Sequence, residues 1–186
     1  MIKYENAKNH DKISKYLSYI LRHKPESINL ILDNYGWANI DELIDKTNEF
    51  SLTRKMIDEV VTSNDKQRFT IKKDHIRANQ GHSIAVDLEL KVKKPNDVLY
   101  HGTATRFLDS ILKLGILPQN REHVHLSHDK EIATTVAKRH GKPIILVIDA
   151  LKMHQDNYKF FLSSNNVWLT DYIPLKYIRE QGSKNA

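Results

Sequence analysis

The chain has 186 residues, of which 40% are hydrophobic and 28% charged, and it contains no cysteine. This composition excludes a disordered chain, disulfides, thiolate metal sites and a cysteine nucleophile. No apolar run approaches the roughly 20 residues of a membrane span, and the amino-terminal segment lacks the apolar core of a secretory signal, so we expect a cytoplasmic enzyme or binding protein. The net charge of +6 is spread evenly along the chain, which is compatible with RNA or DNA as a partner without identifying one.

Three helices and a hairpin are predicted in the first half of the chain. Apolar residues recur at helical spacing from Ile13 to Leu21, so we expect an amphipathic helix over 11–24 that Pro25 ends. The pattern further predicts a short helix or turn ending near Gly36, helices at 40–48 and 53–63, and a β-hairpin within 66–80. Helices followed by a two-stranded ribbon are typical of a winged-helix module, which frequently binds nucleic acid.

A charged stretch that contains Pro95 separates the two halves, and we place the domain boundary there, with domains at 1–94 and 95–186. The second half mixes strands with helices. Its pattern predicts helices at 105–115 and 128–141, a hairpin at 159–170, and single strands at 98–103, 123–127, 143–150 and 173–178. This order predicts a strand-rich lobe, and the chain as a whole is expected to have an α+β fold.

Two basic residues, Arg22 and His23, occupy the last turn of the first predicted helix. At about 100° per residue, Arg22 falls opposite the apolar stripe and His23 at its edge. Cationic side chains in a last turn stabilise a helix by complementing its dipole, and the same pair is also suited to binding a phosphate. Taken alone, the pair favours the dipole interpretation and leaves the phosphate site open.

Polar side chains gather around the predicted hairpin. Lys66 and Arg68 stand where the hairpin begins, and a solvated edge strand explains them as well as a ligand site does. A polar loop around Gly81 indicates either function or turn chemistry, and its side chains are those of Arg77, Asn79, Gln80 and His82.

Histidines mark a second candidate region. His123 and His125 share one face of a predicted strand and His128 follows closely, a pattern that can ligate zinc. Because no carboxylate stands at ligand spacing and cysteine is absent, we expect no metal. The alternative is that His101, His125 and nearby backbone bind a polar ligand in a cleft, with Arg121 directed into it. Rossmann and P-loop motifs are absent from the sequence, so a dinucleotide would bind in another way.

Six ordered motifs carry a family resemblance: KYLSYILRHKPE, GW, NDKQRF, IRANQGHS, HGT and HVHLS. With these motifs at their intervals, residues 14–178 resemble the RNA 2′-phosphotransferases, also called tRNA 2′-phosphotransferases or the KptA family. The resemblance implies a winged-helix lobe that binds RNA, joined to an ADP-ribosyltransferase-like lobe that binds NAD. It also implies an enzyme of RNA processing, such as tRNA splicing. We expect a monomer without a membrane partner or a metal.

The reaction implied by the resemblance has two steps. An internal 2′-phosphate of the RNA attacks C1″ of the nicotinamide ribose of NAD and expels nicotinamide. The 2″-hydroxyl of the ADP-ribosylated RNA then attacks the phosphate, which releases RNA with a 2′-hydroxyl and ADP-ribose 1″,2″-cyclic phosphate. NAD is thus consumed as a co-substrate, and 2′-phosphorylated RNA is the expected partner.

The resemblance also assigns roles to individual residues. It implies a catalytic tetrad of Arg22, His23, Arg68 and Arg121. Support for the RNA and its phosphate is expected from Lys66, Gln80 and His82, and NAD contacts are expected from His101, Gly102, Thr103, His125 and Ser127. Guanidinium groups suit a phosphate dianion, which needs positioning rather than a general base to attack the ribose carbon. His23 is the candidate for moving a proton in the second step.

Two other functions stay open at this point. An ADP-ribosyltransferase that caps nucleic-acid 5′-phosphates, or another phosphorylated target, would use the same tetrad. A non-catalytic winged-helix regulator with a ligand-sensing second lobe would leave Arg68 and Arg121 without a role. Residues 163–174 contain no glutamate, which argues against a transferase that modifies proteins, because protein-modifying relatives commonly carry a late catalytic Glu there.

Overall fold

The computed structural model describes residues 2–63 and 66–180. Its contacts divide the chain into two units, Met1–Glu89 (unit 1) and Leu90–Ala186 (unit 2). The boundary predicted from the charged stretch lies five residues further on, before Pro95. Helices and small antiparallel sheets occur in both units, which confirms the predicted α+β class. Within the described residues, no helix is both long and apolar enough to cross a membrane.

Unit 1 combines helices with a three-stranded antiparallel sheet. Its elements are α1 (Ile2–Arg22), a 3₁₀ turn (Pro25–Ile28), β1 (Ala38–Asn39), α2 (Ile40–Lys46), α3 (Arg54–Thr62), β2 (Phe69–Lys72) and β3 (His75–Ala78). β3 is the central strand and pairs Ile76 both with Ala38 of β1 and with Ile71 of β2. The predicted hairpin is confirmed, whereas β1 has only two residues and carries no periodic signal.

Local sequence explains where the helices of unit 1 begin and end. The side chains of Asn39 and Thr53 accept hydrogen bonds from backbone amides in the first turns of α2 and α3, as expected of N-cap residues. Pro25 opens the 3₁₀ turn that follows α1, so the predicted end of this helix is confirmed. The predicted start at residue 11 is wrong, because α1 already begins at Ile2. Residues 2–10 lack an apolar stripe, but they also contain no Gly or Pro that would end a helix.

The apolar stripe of α1 forms the core of unit 1. Ile13, Leu17, Ile20 and Leu21 are fully buried and pack with Ile76 of β3 and with α3. Burial of each such side chain contributes roughly 1.5–3 kcal/mol. This packing holds the last turn of α1 in place beside the sheet, and that turn carries the first two candidate site residues.

Over its described residues, unit 2 contains two three-stranded antiparallel sheets, in the orders β4-β6-β9 and β5-β8-β7. Its strands are β4 (Val98–Ala104), β5 (Val124–Leu126), β6 (Pro143–Asp149), β7 (Phe161–Leu162), β8 (Trp168–Thr170) and β9 (Ile178–Glu180). Its helices are α4 (Leu108–Leu114), α5 (Lys130–Ala137) and α6 (Ala150–Gln155), with 3₁₀ turns at Thr105–Phe107, Lys138–His140 and Leu175–Tyr177. A backbone bridge between Tyr100 and Ser127 joins β4 to β5.

Most elements predicted for unit 2 are confirmed, and one is wrong. The last strand, predicted at 173–178, is largely a 3₁₀ turn, and β9 begins only at Ile178. Pro174 precedes that turn and favours the turn over an extended ladder. No helix was predicted from the sequence at α6, which begins where the side chain of Asp149 accepts a hydrogen bond from the amide of Lys152.

Candidate active site

Arg22 is buried at the end of α1, with only 9% of its surface exposed. Its Nη2 donates to the carbonyl oxygen of Arg68 at 3.4 Å, and its guanidinium carbon lies 5.8 Å from the centre of the Phe69 ring. The amide of Ser83 donates to the carbonyl oxygen of Arg22 at 2.9 Å. The helical periodicity had placed Arg22 opposite the apolar stripe, on the solvent side. That expectation is wrong, because residues 68–83 fold over this side of the helix.

The backbone around Arg68 is held in place by Asn79. The amide of Asn79 donates to the carbonyl oxygen of Arg68 at 2.9 Å, and Asn79 Nδ2 donates to the carbonyl oxygen of Gln67 at 2.6 Å. Gln67 has a φ of +41°, a conformation that few non-glycine residues adopt. Arg68 Nη1 reaches back to α1 and donates to Ser14 Oγ at 3.3 Å. Arg68 therefore lies just before β2 rather than within the predicted strand, and its side chain is directed at α1.

His23 contacts Ser83, a serine for which the sequence predicted no role. His23 Nδ1 and Ser83 Oγ lie 2.9 Å apart, at hydrogen-bonding distance. The same serine holds the carbonyl of Arg22 through its amide, so one residue fixes both members of the Arg22–His23 pair. Ser83 ends the motif IRANQGHS, and this was the available signal for its importance. Ser14 offered no such signal beyond its place on the helix.

The three supporting residues predicted in unit 1 differ in accessibility. Lys66 is exposed and Gln80 is half-buried, whereas His82 is only 1% exposed. Neither ring nitrogen of His82 has a hydrogen-bond partner among the residues that the structure describes. Burial, reinforced by the positive charges of Arg22, His23 and Arg77, lowers the pKa of His82 from 6.5 to about 4. His82 is therefore neutral at pH 7, and its contact with a substrate stays a prediction.

In unit 2, hydrogen bonds connect Arg121, His125 and His101. Arg121 Nη1 lies 3.2 Å from His125 Nδ1, and a guanidinium can only donate, so Nδ1 accepts and His125 carries its proton on Nε2. The carbonyl oxygen of His125 lies 3.1 Å from His101 Nδ1, which must donate to it. Nε2 of a neutral His101 is then an acceptor. Burial lowers the pKa of His101, although its hydrogen bond to the carbonyl of His125 acts in the opposite direction. Desolvation also lowers the pKa of Arg121.

The other three residues predicted to contact NAD have structural roles. A Cβ on Gly102 would lie 1.9 Å from the carbonyl oxygen of Ala133, so only glycine lets α5 pack this closely on β4. Thr103 is buried in β4. Ser127 Oγ accepts from the amide of Asp129 at 3.0 Å and so supports the turn into α5. A ligand contact of these residues stays a prediction, because packing and turn geometry already explain them.

The histidines considered for zinc do not form a ligand set. His123 Nε2 lies 3.5 Å from Asp171 Oδ1, and its ring packs edge-on against Phe161, with centroids 5.6 Å apart. His128 is exposed. Over residues 2–63 and 66–180, the structure brings no three His, Asp or Glu side chains together as metal ligands. The site residues thus form two groups, a cationic group at the end of α1 in unit 1 and the Arg121–His125–His101 chain in unit 2.

Comparison with known proteins supplies the class of enzyme. The family profile described as "RNA 2'-phosphotransferase, Tpt1 / KptA family" matches residues 8–172. A protein of Acaryochloris marina named "Probable RNA 2'-phosphotransferase" is 55% identical over 172 residues, which cover 90% of this chain and 95% of that protein. Proteins with the same name in Streptomyces coelicolor and Fusobacterium nucleatum are 50% and 51% identical, over 90% and 92% of this chain and 93% and 98% of theirs.

These similarities show that the chain is a phosphotransferase and therefore an enzyme. It belongs to the RNA 2′-phosphotransferase, Tpt1 / KptA family. The resemblance noted from the six motifs is confirmed, and an interpretation as a non-catalytic regulator is wrong.

Proposed function

We propose that the enzyme removes an internal 2′-phosphate from RNA by transferring it to NAD. The observation that carries this proposal is that Arg22, His23 and Arg68 all contact or belong to α1: the backbone of Arg68 meets Arg22 and its guanidinium meets Ser14, in a chain that belongs to the family over most of its length. Two arginines and a histidine on one surface of unit 1 suit a phosphate monoester, because each guanidinium offers paired donors that match phosphate oxygens.

In the first step, Arg22 and Arg68 grip the 2′-phosphate, with Lys66 in support. The hydrogen bond from Arg22 Nη2 to the carbonyl oxygen of Arg68 brings the two residues together before any substrate binds. Such positioning lowers the barrier, because the phosphate oxygen is held in place for attack on C1″ of the nicotinamide ribose. The bond that forms joins this oxygen to C1″, and the bond that breaks releases nicotinamide. The phosphate itself is the nucleophile, so no carboxylate base is required.

His23 acts in the second step. There the 2″-hydroxyl attacks the phosphorus, loses its proton, and the 2′-oxygen of the RNA leaves and gains one. Ser83 Oγ holds Nδ1 of His23, so the ring is oriented with Nε2 as the nitrogen that exchanges the proton. The resemblance assigns Arg121 to the same phosphate, where its charge would stabilise the transition state.

The NAD contacts rest on the Arg121–His125–His101 chain of unit 2. The tautomers set by its hydrogen bonds give one acceptor, Nε2 of His101, and one donor, Nε2 of His125. A donor and an acceptor of this kind fit the hydroxyl groups of a ribose. Burial lowers the pKa of His101, which favours the neutral ring, and only the neutral ring can accept a hydrogen bond at Nε2.

We further propose that unit 1 is a winged-helix RNA lobe and unit 2 an ADP-ribosyltransferase-like NAD lobe. Three helices followed by the β2–β3 hairpin, with β1 as a third strand, support the first assignment. The two small antiparallel sheets of unit 2, bridged between β4 and β5, support the second. Both lobe assignments rest on the α+β architecture together with the family resemblance.

The test compares three oligoribonucleotides of one sequence, which carry an internal 2′-phosphate, a 5′-phosphate or no phosphate, each with NAD. We expect nicotinamide release only with the 2′-phosphate, in equal amount to the dephosphorylated RNA formed. Arg68→Ala should lower this rate by at least about a hundredfold, since it removes a charged phosphate contact. Lys12→Ala removes a charge from another face of α1, where the ammonium lies over the Phe50 ring, and should leave the rate unchanged. Modification of the 5′-phosphate alone would favour the capping transferase instead.

A single-turnover experiment tests the role of His23. With His23→Ala, we expect nicotinamide release to continue while the ADP-ribosylated RNA accumulates, because the proton transfer of the second step is lost. Unchanged rates in both steps would exclude the proposed role. His23→Gln, which keeps a hydrogen-bonding group near Ser83 but cannot carry a proton, separates proton transfer from orientation.

A further inference from the structure

A hydrogen-bonded turn at Asp33–Trp37 presents an aromatic ring on the surface of unit 1. Asp33 Oδ1 accepts hydrogen bonds from the amides of Tyr35 and Trp37, both at 2.9 Å. The amide of Asp33 in turn donates to the carbonyl oxygen of Trp37 at 2.9 Å. Gly36 makes the turn possible with a φ of +79°. Tyr35 at the tip is 44% exposed. The turn therefore holds a tyrosine ring in solvent on a fixed backbone.

Arg77 of β3 lies directly against this turn. Its Nη1 donates to the carbonyl oxygen of Tyr35 at 3.4 Å, and its guanidinium carbon lies 4.6 Å from the centre of the Trp37 ring. No carboxylate of the described residues forms an ion pair with Arg77, and no protein acceptor in those residues reaches its buried Nε. A guanidinium held on an aromatic ring without a counterion is arranged for an anionic ligand.

The turn is connected to the phosphate-binding group through His82 and Ser83. A Cβ on Gly36 would lie 3.6 Å from His82 Nε2, so the turn packs against this buried ring. The next residue, Ser83, contacts both His23 and the carbonyl of Arg22. The charges of Arg22, His23 and Arg77 all act on His82. Arg77 and the Arg22–His23 pair thus lie around one buried imidazole.

We propose that Tyr35 and Arg77 form a subsite for the nucleotide next to the 2′-phosphorylated one. Tyr35 stacks on its base and Arg77 neutralises its backbone phosphate. The subsite rests on the proposed function, since the 2′-phosphate at Arg22 and Arg68 fixes where the strand lies. An exposed ring beside a guanidinium that pairs with no carboxylate in the described part of the chain fits single-stranded RNA, which is bound by base stacking together with charge. An acidic protein segment would need the charge but not the ring.

The test measures affinity without NAD, for a 2′-phosphorylated mononucleotide and for a hexanucleotide with the 2′-phosphate at an internal position. Tyr35→Ala should weaken hexanucleotide binding about tenfold, the loss expected for one stacked base, and leave mononucleotide binding unchanged. Tyr35→Phe keeps the ring and should keep the affinity. Equal hexanucleotide affinity in the wild type and Tyr35→Ala would overturn the proposal, and so would an equal loss for both ligands.

The salt dependence of hexanucleotide binding tests Arg77 separately. Arg77→Ala should reduce the slope of log Kd against log salt by about 0.7, the value for one phosphate contact on a single strand. Lys12→Ala removes another cation from an aromatic contact, with Phe50, and should leave the slope unchanged. Equal slopes for the wild type and a folded Arg77→Ala would overturn the role of Arg77.

A parallel activity measurement keeps the two proposals apart. If the wild type converts 2′-phosphorylated RNA with NAD but Tyr35→Ala binds the hexanucleotide normally, the subsite is refuted and the proposed function stands. If the wild type does not convert this RNA, the proposed function fails whatever the binding data show.

Discussion

Replacement of His82 should change how the stability of unit 1 depends on pH. The pKa of this histidine falls from 6.5 in the unfolded chain to about 4 in the folded protein, chiefly because the ring is buried and also because Arg22, His23 and Arg77 are positively charged. Between pH 6.5 and 4 the unfolded chain therefore binds a proton that the folded chain does not. The free energy of unfolding must fall as pH falls through this window, and the full stability is present above pH 6.5. At about 1.4 kcal/mol per pH unit, the loss is about 3 kcal/mol.

The assay compares the wild type with His82→Gln, a polar replacement that does not titrate. The protein is unfolded with urea at several pH values between 7 and 4. Hydrogen exchange is measured in peptides from unit 1, so that the unfolding of unit 1 is observed separately from that of unit 2. The wild type should lose about 3 kcal/mol more than the variant over this range, because all other titrating groups are common to both. His75→Gln, an exposed histidine of β3, controls for removal of a histidine as such. Parallel pH profiles of the wild type and His82→Gln would refute the burial argument.

Three further substitutions test individual contacts. Gly102→Ala should destabilise unit 2 by about 3 kcal/mol or more in thermal unfolding, because its Cβ would meet the carbonyl oxygen of Ala133; unchanged stability would contradict this packing. Ser83→Ala should slow the second reaction step about tenfold in single turnover, because His23 loses its partner, and an unchanged rate would exclude this role. Asp129→Ala should cost unit 2 about 1 kcal/mol in urea unfolding by removing the cap of α5, whereas Asp129→Asn should not.

The fold could be predicted where local signals were strong. Pro25 and the alternating pattern of the 66–80 hairpin each act over a few residues, so sequence alone located the end of α1 and the β2–β3 pair. The start of α1 could not be located, because residues 2–10 have neither an apolar stripe nor a helix breaker. Short elements such as β1 depend on pairing with a strand far along the chain, and no local pattern records that pairing.

The sequence predicted which residues belong to the candidate site, but not how deeply they are buried or which residues they contact. Periodicity placed Arg22 in solvent, because a helix alone gives no indication that residues 68–83 will cover its outer face. Ser14, Asn79 and Ser83 position the arginines and the histidine through contacts between distant residues, which spacing along the sequence does not show. For Gly102 the sequence predicted a contact with NAD, whereas the structure shows a packing role. A side chain at this position would collide with the backbone of α5, and the sequence alone does not show that α5 packs there.

The fate of the 2′-phosphate tests the central claim most directly. An oligoribonucleotide with one internal 2′-phosphate can be followed by ³¹P NMR in the presence and absence of NAD. We predict that the signal moves to ADP-ribose 1″,2″-cyclic phosphate only when NAD is present, while the RNA gains a 2′-hydroxyl. Release of inorganic phosphate without NAD would contradict the account, because it would identify a simple phosphatase.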